Sequence, residues 1–217
     1  MKLLRHLAPL ALGLAALGTA HANLLQNGGF ELPGTPDYIE LAGSGNTYVT
    51  NWVTILSGAE YFRPASITGL GSAIEGRMVV DVANYDQNNG GIAQTFATTA
   101  GQQYRLDFIA GNSRYGFGYN TGDGTINVQV GSLTTSVATP TALTPAIVWQ
   151  PISLTFTALA GPNSTLSFSN LQDARMHYAF IDNVRVTAVP EPQTWALLFA
   201  GLGIVGTVAR RRRTSAD

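Results

Sequence analysis

Apolar residues recur at every second position through most of the chain between its two ends. Tyr104, Leu106 and Phe108 are apolar, while Arg105 and Asp107 between them are charged. This alternation puts the apolar side chains on one face of an extended strand, because successive residues of a strand point to opposite sides. The pattern therefore predicts a strand with one buried face and one polar face.

Eight further segments show the same alternation or a short apolar run, at 52–55, 60–62, 78–82, 92–98, 126–130, 154–158, 165–169 and 179–187. Clusters of Gly, Asn, Pro and Ser separate these segments and are typical of turns. Many short, half-buried strands joined by turns predict an all-β domain built as an antiparallel β-sandwich. Trp52 and Trp149 lie in strand-like segments, so we expect both in its core.

The last predicted strand contains an acidic residue where its alternation calls for an apolar one. Asp182 shares a face with Phe180 and Val184. A buried carboxylate costs several kcal/mol unless it is paired, hydrogen-bonded or bound to a metal. Asp182 therefore either accepts backbone N–H bonds beside Arg175 or Arg185, or binds a metal ion.

The amino-terminal end of the chain has a different pattern. Lys2 and Arg5 give a basic start, residues 7–17 form an apolar stretch, and Ala20 and Ala22 flank His21 in a small-x-small arrangement. These are the three parts of a secretory signal peptide. We expect cleavage after Ala22, which makes residues 1–22 the signal peptide.

The carboxyl-terminal end combines a rigid tripeptide, an apolar run and a basic cluster. Pro190, Glu191 and Pro192 precede the apolar residues 195–209, and a cluster of four arginines follows: Arg210, Arg211, Arg212 and Arg213. As a helix the apolar run would be roughly 22 Å long. It predicts a transmembrane helix, short for a bilayer core, with the arginines on the cytoplasmic side. The rest of the chain then faces outward.

These three parts, in this order over residues 189–213, resemble the PEP-CTERM sorting signal of Gram-negative bacteria; residues 214–217 are a short tail. The resemblance implies processing by an exosortase, a membrane-embedded enzyme. It also implies an inner-membrane-anchored precursor that is held transiently by its carboxyl-terminal helix. The processed protein then reaches the cell surface, the outer envelope or the extracellular matrix. A plain single-span anchor is the alternative.

Composition narrows the function of the part between the two ends. Cysteine is absent, and the only lysine, Lys2, leaves with the signal peptide. Residues 23–189 hold eleven acidic residues and six arginines, a net charge of −5. Nucleic-acid-binding domains carry a basic patch or stripe instead. We therefore expect no nucleic-acid partner.

The residue types also argue against catalysis. His177 is the one histidine between residues 23 and 189, and no Gly-x-Ser-x-Gly motif is present. A Ser-His-Asp triad would have to use His177, which precedes the last strand and is expected in a loop. A pair of carboxylates could form a glycosidase site, but sequence spacing cannot test that. We expect a protein that is not an enzyme.

Short motifs spread over residues 23–188 carry a second resemblance, at 23–31, 92–96, 101–112 and 180–184. They resemble the galactose-binding-like jelly rolls, above all the DUF642-type extracellular domains and related carbohydrate-binding modules. The resemblance implies a jelly-roll β-sandwich whose two ends are adjacent. It further implies a structural Ca²⁺ held by Glu31, Asp182 and the carbonyl group of Gly29. Ligands that are all oxygen atoms suit this ion.

A glycine- and aromatic-rich segment, residues 111–124, is the candidate ligand-binding surface. Its rings recur two residues apart, so an extended backbone presents them on one side. Aromatic faces pack on the C–H faces of sugars, while polar side chains bond the hydroxyl groups. The candidate ligand-binding residues are Asn112, Arg114, Tyr115, Phe117, Tyr119 and Asp123. The alternative is that the rings point into the core.

Together these patterns predict an exported, exosortase-sorted protein of the cell surface or biofilm matrix. We expect it to bind extracellular polysaccharide without catalysis. A structural or adhesion protein with protein partners and no sugar site is the alternative. A glycoside hydrolase is the least favoured hypothesis.

Overall fold

The computed structural model of the chain describes residues 22–34, 37–84, 89–116, 122–172 and 177–190, together with Phe199 and residues 201–203. Within these residues the strands are β1 (Tyr38–Ala42), β2 (Val53–Thr54), β3 (Gly58–Phe62), β4 (Val79–Asp81), β5 (Gly90–Ala97), β6 (Gln103–Asn112), β7 (Thr125–Val130), β8 (Leu133–Ala138), β9 (Val148–Thr157), β10 (Asn163–Asn170) and β11 (Phe180–Ala188). A short 3-10 helix, Pro64–Ser66, follows β3. All nine predicted strands are found.

The strands form two antiparallel sheets that face each other. The first has six strands in the order β1-β3-β4-β11-β6-β9, and the second has five in the order β2-β5-β10-β7-β8. Strands that follow one another in the chain often lie in different sheets, so the chain crosses repeatedly over the core. The predicted antiparallel jelly-roll β-sandwich is confirmed.

The core lies between the sheets and is built by the predicted alternation. Leu106 and Phe108 of β6 face Leu166 and Phe168 of β10, and each is at most 1% exposed. The rings of Phe108 and Phe168 meet edge to face with centroids 5.0 Å apart. Burying one such ring stabilises the fold by about 1.5–3 kcal/mol. Trp52 joins this core, as its position in a strand-like segment predicts.

Two strands, β1 and β8, were not predicted from the sequence. Both lie at a sheet edge, where a strand has a neighbour on one side only. In β8, Leu133 and Val137 are partly buried against the core, but Thr135 lies between them on the same face. Hydrophobic periodicity therefore gives only a short signal for these two strands.

The prediction that Phe180 and Val184 lie on the same face of β11 is wrong, because the strand contains a bulge between them. Its pairing with β6 shifts register between Asp182 and Arg185, and Asn183 has a positive φ of 53°. Such a bulge adds one residue to one strand and reverses the alternation beyond it. Phe180 accordingly lies outside the main core, whereas Val184 lies within it.

The two ends of the domain are adjacent, as the resemblance implied. The N–H group of Leu24 donates to the Val186 carbonyl group at 2.9 Å. The N–H group of Val184 donates to the Gly28 carbonyl group at 2.9 Å. The amino-terminal segment therefore runs along β11, which brings Glu31 close to Asp182.

The predicted signal peptide lies outside the described residues except for Ala22, and Ala20 is among those outside. Of the sorting motif, Pro190 is described, whereas Glu191, Pro192 and the arginines 210–213 are not. Phe199 and residues 201–203 are helical. In the described part of the chain, no helix has the length and hydrophobicity needed to cross a membrane.

Candidate functional site

Five aromatic side chains gather on the outer face of the six-stranded sheet, the face turned away from the other sheet. Tyr38 and Phe62 are cross-strand neighbours on β1 and β3. The Phe62 ring meets Phe180 edge to face with centroids 5.6 Å apart. Tyr178 stacks on Phe180 at 5.2 Å and donates its hydroxyl hydrogen to the carbonyl group of Tyr115 at 3.3 Å. Strand pairing thus assembles rings from distant parts of the chain.

These five rings line a cavity of about 240 Å³, completed by Glu60, Ile67, Leu70 and Gly116. We call it the aromatic cavity. It is smaller than the roughly 300–1,000 Å³ of sites for drug-sized ligands. It therefore suits one small group, such as one sugar ring, with the rest of a polymer outside. Tyr38 and Tyr115 form its open side, being 48% and 38% exposed.

Three carboxylates lie side by side across neighbouring strands of the same face. Glu40 of β1 is paired with Glu60 of β3, and Glu60 is paired with Asp81 of β4. We call these three residues the acidic row. Glu60 is 6% exposed and Asp81 is 0% exposed. Like charges directly opposite each other on a sheet are destabilising.

Asp81 is the most buried member of the acidic row. Its Oδ1 atom accepts N–H bonds from Ala83 at 2.8 Å and from Ala179 at 3.0 Å. Its Oδ2 atom is buried without a hydrogen-bond partner among the described residues. Burial, and next the negative charge of Glu60, raise the pKa of Asp81 well above its usual range. The Asp81 carboxyl group therefore tends to hold a proton.

The row of paired residues continues from Asp81 to the opposite edge of the sheet. Asp81 is paired with Phe180, Phe180 with Gly111, and Gly111 with Trp149. A Cβ atom on Gly111 would stand 2.5 Å from Cζ3 of Trp149, so only glycine lets this ring lie across β6. The expectation that Trp149 belongs to the core between the sheets is wrong. The alternation of β9 turns it to the outer face, beside Phe180.

The predicted ligand-binding residues are distributed between this site and the neighbouring loops. Tyr115 lines the aromatic cavity. Asn112 donates from Nδ2 to the Pro140 carbonyl group at 3.0 Å. Arg114 donates from Nε to the Ala142 carbonyl group at 2.8 Å. Asp123 accepts a hydrogen bond from the Thr141 hydroxyl group at 2.7 Å. These three residues thus fasten the loop around Pro140 and Ala142, and Phe117 and Tyr119 lie outside the described residues.

Most residues of the aromatic cavity were not predicted from the sequence. Tyr38, Phe62, Tyr178 and Phe180 belong to three separate segments, which only the sheet order brings together. One signal was present, because Glu60 interrupts an apolar strand. Asp81 does the same in β4, as Asp182 does in β11.

The predicted metal ligands Glu31 and Asp182 both bond to the loop that precedes β4. Oε1 of Glu31 accepts N–H bonds from Arg77 at 2.7 Å and from Met78 at 2.8 Å. Oδ2 of Asp182 accepts N–H bonds from Ile74 at 2.8 Å and from Glu75 at 2.9 Å. We call this arrangement the carboxylate clasp. Backbone N–H acceptance, one of the two possibilities for Asp182, is therefore observed.

A third carboxylate, which the sequence did not single out, lies at the clasp. Oε2 of Glu75 is 3.4 Å from Nη2 of Arg185, and the Glu75 side chain lies against Gly29. Burial, opposed by amide hydrogen bonds, raises the pKa of Asp182 to about 6. In the described part of the chain, no three Asp, Glu, His or Cys side chains are arranged to hold a metal ion. The calcium site stays a prediction.

His177 lies just before β11, in a loop, as predicted. Its Nδ1 atom is 3.0 Å from the carbonyl oxygen of Asp123, and its ring packs over Gly122. These contacts hold the start of β11 against the segment before β7.

Solved structures of similar shape include several sugar-binding domains. The carbohydrate-binding module TmCBM61, solved with beta-1,4-galactotriose, is 16% identical over 77% of this chain and 99% of its own, with a TM-score of 0.47. The CBM22-1 xylan-binding domain of Paenibacillus barcinonensis Xyn10C is 11% identical over 79% of this chain and 97% of its own, with a TM-score of 0.46. The enzymatically active domain of tailspike protein 4 of bacteriophage CBA120 is 13% identical over 77% of this chain and 21% of its own, with a TM-score of 0.47. At these identities the likeness concerns the fold alone.

Family models cover residues 23–213. No curated protein sequence matches it. The PEP-CTERM protein-sorting motif matches residues 188–213, which confirms the resemblance of the carboxyl-terminal end. The family described as a protein of unknown function, DUF642, matches residues 23–187. The chain therefore belongs to the DUF642 family and ends in a PEP-CTERM sorting motif.

Proposed function

We propose that this protein binds extracellular polysaccharide without catalysis, at the aromatic cavity. The observation that carries the proposal is the gathering of five aromatic rings around one carboxylate, Glu60, on the outer face of a rigid sheet. Phe62 and Phe180 form a second buried cluster with Leu70 and Val79 on this face. Tyr38 and Tyr115 remain exposed beside that cluster, and burial in a core does not account for them.

The chemistry of the cavity suits a sugar ring. Tyr38 and Tyr115, the exposed rings of the cavity, would provide flat faces for the C–H groups of a pyranose. Glu60 and the hydroxyl group of Tyr38, which donates to Glu60 at 3.0 Å, are positioned to exchange hydrogen bonds with sugar hydroxyl groups. Strands β1 and β3 hold Tyr38 and Glu60, so these two side chains lose little ordering entropy on binding.

The PEP-CTERM sorting motif supports a location outside the cytoplasm for this binding. The signal peptide would direct export, and the apolar helix after Pro190 would arrest the precursor in the inner membrane. An exosortase would then process the sorting motif. The domain would reach the cell surface, the outer envelope or the biofilm matrix, where polysaccharide is the abundant ligand.

The test uses two exposed rings of the cavity and one matched ring elsewhere. Tyr38→Ala with Tyr115→Ala removes the open side of the cavity, while Tyr48→Ala removes a ring that is 37% exposed and does not line it. We expect the double variant to lose retention on polysaccharide in affinity electrophoresis and Tyr48→Ala to keep it. Equal retention of all forms would overturn the proposal.

We also propose that the carboxylate clasp binds a structural Ca²⁺. Glu31 and Asp182 both bond to the loop before β4, and Glu75 of that loop forms an ion pair with Arg185. Carboxylate and carbonyl oxygens are the ligands that Ca²⁺ takes, and the Gly29 carbonyl group would complete the set. The ion would fix the two ends of the domain to the loop before β4.

A further inference from the structure

We propose that one end of the β-sandwich rests on the lipid surface of the membrane while the precursor is anchored, with Leu159 in contact with the lipid. This inference rests on the predicted arrest of the precursor in the inner membrane, which is part of the proposed function, and it does not depend on sugar binding. It is carried by the place where the chain leaves the domain and by the chemistry of the turns around that place.

Three turns meet at one end of the sandwich and form a single surface. They are residues 98–102, 131–132 and 158–162. The N–H group of Thr98 donates to the Pro162 carbonyl group at 2.9 Å, which joins the first turn to the third. The N–H group of Ser132 donates to the Thr157 carbonyl group at 3.0 Å, which joins the second turn to β9. We call the three turns, together with residues 187–190, the uncharged end.

The chain leaves the domain at the uncharged end. The N–H group of Val189 donates to the Gln103 carbonyl group at 2.9 Å, and Nε2 of Gln102 donates to the Val189 carbonyl group at 2.7 Å. Five residues, 190–194, separate Val189 from the apolar run 195–209. Even when fully extended, five residues span at most about 18 Å. The uncharged end therefore lies close to the bilayer for as long as the apolar run is anchored in it.

The uncharged end differs in charge from the domain that carries it. Residues 23–189 have a net charge of −5, whereas the described residues of this end are Thr, Ala, Gly, Gln, Ser, Leu, Pro and Val, without a charged side chain among them. Anionic lipids repel acidic groups, and a charge pressed against the interface would lose hydration. Along the strands that lead away from this end, the first charged residues are Arg105 and Arg185, each paired with a carboxylate. This end can therefore approach anionic lipid without electrostatic repulsion.

Leu159 is the apolar side chain that the uncharged end offers to the lipid. It lies in the turn after β9 and is 61% exposed. Leu24, another exposed leucine, lies close by, because it lines a cavity together with Asn163 at the start of β10. Moving a leucine side chain from water to an apolar environment is favourable. The anchor would hold the domain at a high effective concentration near the bilayer, so even a weak contact of this kind would persist.

The experiment places one spin label on the full chain, which contains no cysteine of its own. Leu159→Cys carries the label at the uncharged end. Leu171→Cys is the matched control, because Leu171 is 63% exposed and follows β10 at the opposite end of the sandwich, roughly 25 Å from Asn163. The labelled chains are reconstituted into vesicles of phosphatidylethanolamine and phosphatidylglycerol. Electron paramagnetic resonance then measures collisions of each label with oxygen, which concentrates in lipid, and with a nickel chelate, which stays in water. We expect the ratio of oxygen to nickel collisions to be several-fold higher at position 159 than at position 171.

A second pair of variants tests the contribution of the Leu159 side chain. The label is moved to Ala100, an exposed residue of the neighbouring turn. Leu159→Asp should lower the collision ratio of this label to the value found at position 171, because anionic lipid repels the new carboxylate. Leu171→Asp should leave the ratio unchanged. Both leucines are exposed, so neither substitution removes a side chain from the core.

The outcomes separate this inference from the proposed function. Equal ratios at positions 159 and 171, in a chain that floats with the vesicles, would overturn the inference and leave both the anchor and polysaccharide binding intact. A full chain that does not float with the vesicles would overturn the inference together with the predicted anchor, whereas the retention assay on polysaccharide would be unaffected. Magnetic broadening between labels at position 159, without a raised collision ratio, would assign this end to a second copy of the chain and would also overturn the inference.

Discussion

The contribution of the carboxylate clasp can be measured by filling the space that Glu31 occupies. Gly76 lies in the loop before β4 with a φ of +61°, and a Cβ atom there would overlap the Glu31 carboxyl group. Gly76→Ala therefore does two things. It places an L-residue in a left-handed conformation, and it pushes Glu31 away from the N–H groups of Arg77 and Met78.

The magnitude follows from these two effects. A left-handed conformation costs an alanine about 1–2 kcal/mol. A hydrogen bond to a charged acceptor contributes about 1.5–3 kcal/mol, and we take about 1 kcal/mol for each of the two because Glu31 is partly exposed to water. Gly76→Ala should lower the free energy of unfolding by about 3–4 kcal/mol. Gly43→Ala supplies the matched control. Gly43 has a φ of +76° and nothing within 4 Å of the added atom, so this variant should lose about 1–2 kcal/mol.

Urea unfolding of residues 23–189, followed by tryptophan fluorescence, gives both values. A Glu31→Ala background completes the design, because Gly76→Ala should then cost no more than Gly43→Ala does. Equal losses for Gly76→Ala and Gly43→Ala in the native background would refute the reasoning. Glu31 would then contribute nothing through its amide bonds.

Two further predictions concern calcium and pH. If the clasp binds Ca²⁺, EDTA should lower the melting temperature and added Ca²⁺ should restore it. Asp182→Asn should remove this dependence of the melting temperature on Ca²⁺. A melting temperature that EDTA leaves unchanged would eliminate the calcium site. The pKa of Asp81 is raised, chiefly by burial, above 3.8, its ordinary value. The folded protein therefore keeps a proton that the unfolded chain releases. Stability from this group is complete below pH 3.8 and is lost as the pH rises through the raised pKa. Asp81→Asn should flatten that decline in urea midpoints measured across pH, and an unaltered decline would show that another group causes it.

The sequence predicts the fold well where burial is one-sided and continuous. The alternation from Tyr104 to Phe108 in β6 is clear because these apolar residues face the core, while Arg105 and Asp107 point away from it. The sequence predicts a strand poorly where its apolar face is short or only partly buried. β8 lies at an edge, and its Leu133 and Val137 are only partly buried against the core. The bulge at Asn183 reverses the phase of β11 through a backbone conformation that hydrophobic periodicity does not encode.

The candidate site was harder to predict because it depends on sheet order. The rings of the 111–124 segment predicted a ligand-binding surface there, and Tyr115 does line the cavity. Its other described candidates, Asn112, Arg114 and Asp123, bond to a loop. The remaining rings come from β1, β3 and the residues at the start of β11. These segments are far apart in the sequence, and the sheet order β1-β3-β4-β11 brings them to one part of the sheet. Local spacing contains no information about that adjacency.

The acidic row is the part of the molecule that folding alone leaves unexplained. Val79 and Val80 of β4 are fully buried, as is Asp81. An apolar residue at position 81 could therefore be buried in this strand just as these two valines are. Asp81 instead adds an unpaired buried oxygen beside Glu60, and each such group costs on the order of 1–3 kcal/mol. Strain and unsatisfied polar groups of this kind concentrate at functional sites, where a ligand completes them. Glu60, the cross-strand neighbour of Asp81, lines the aromatic cavity, so this costly carboxyl group lies beside the candidate site.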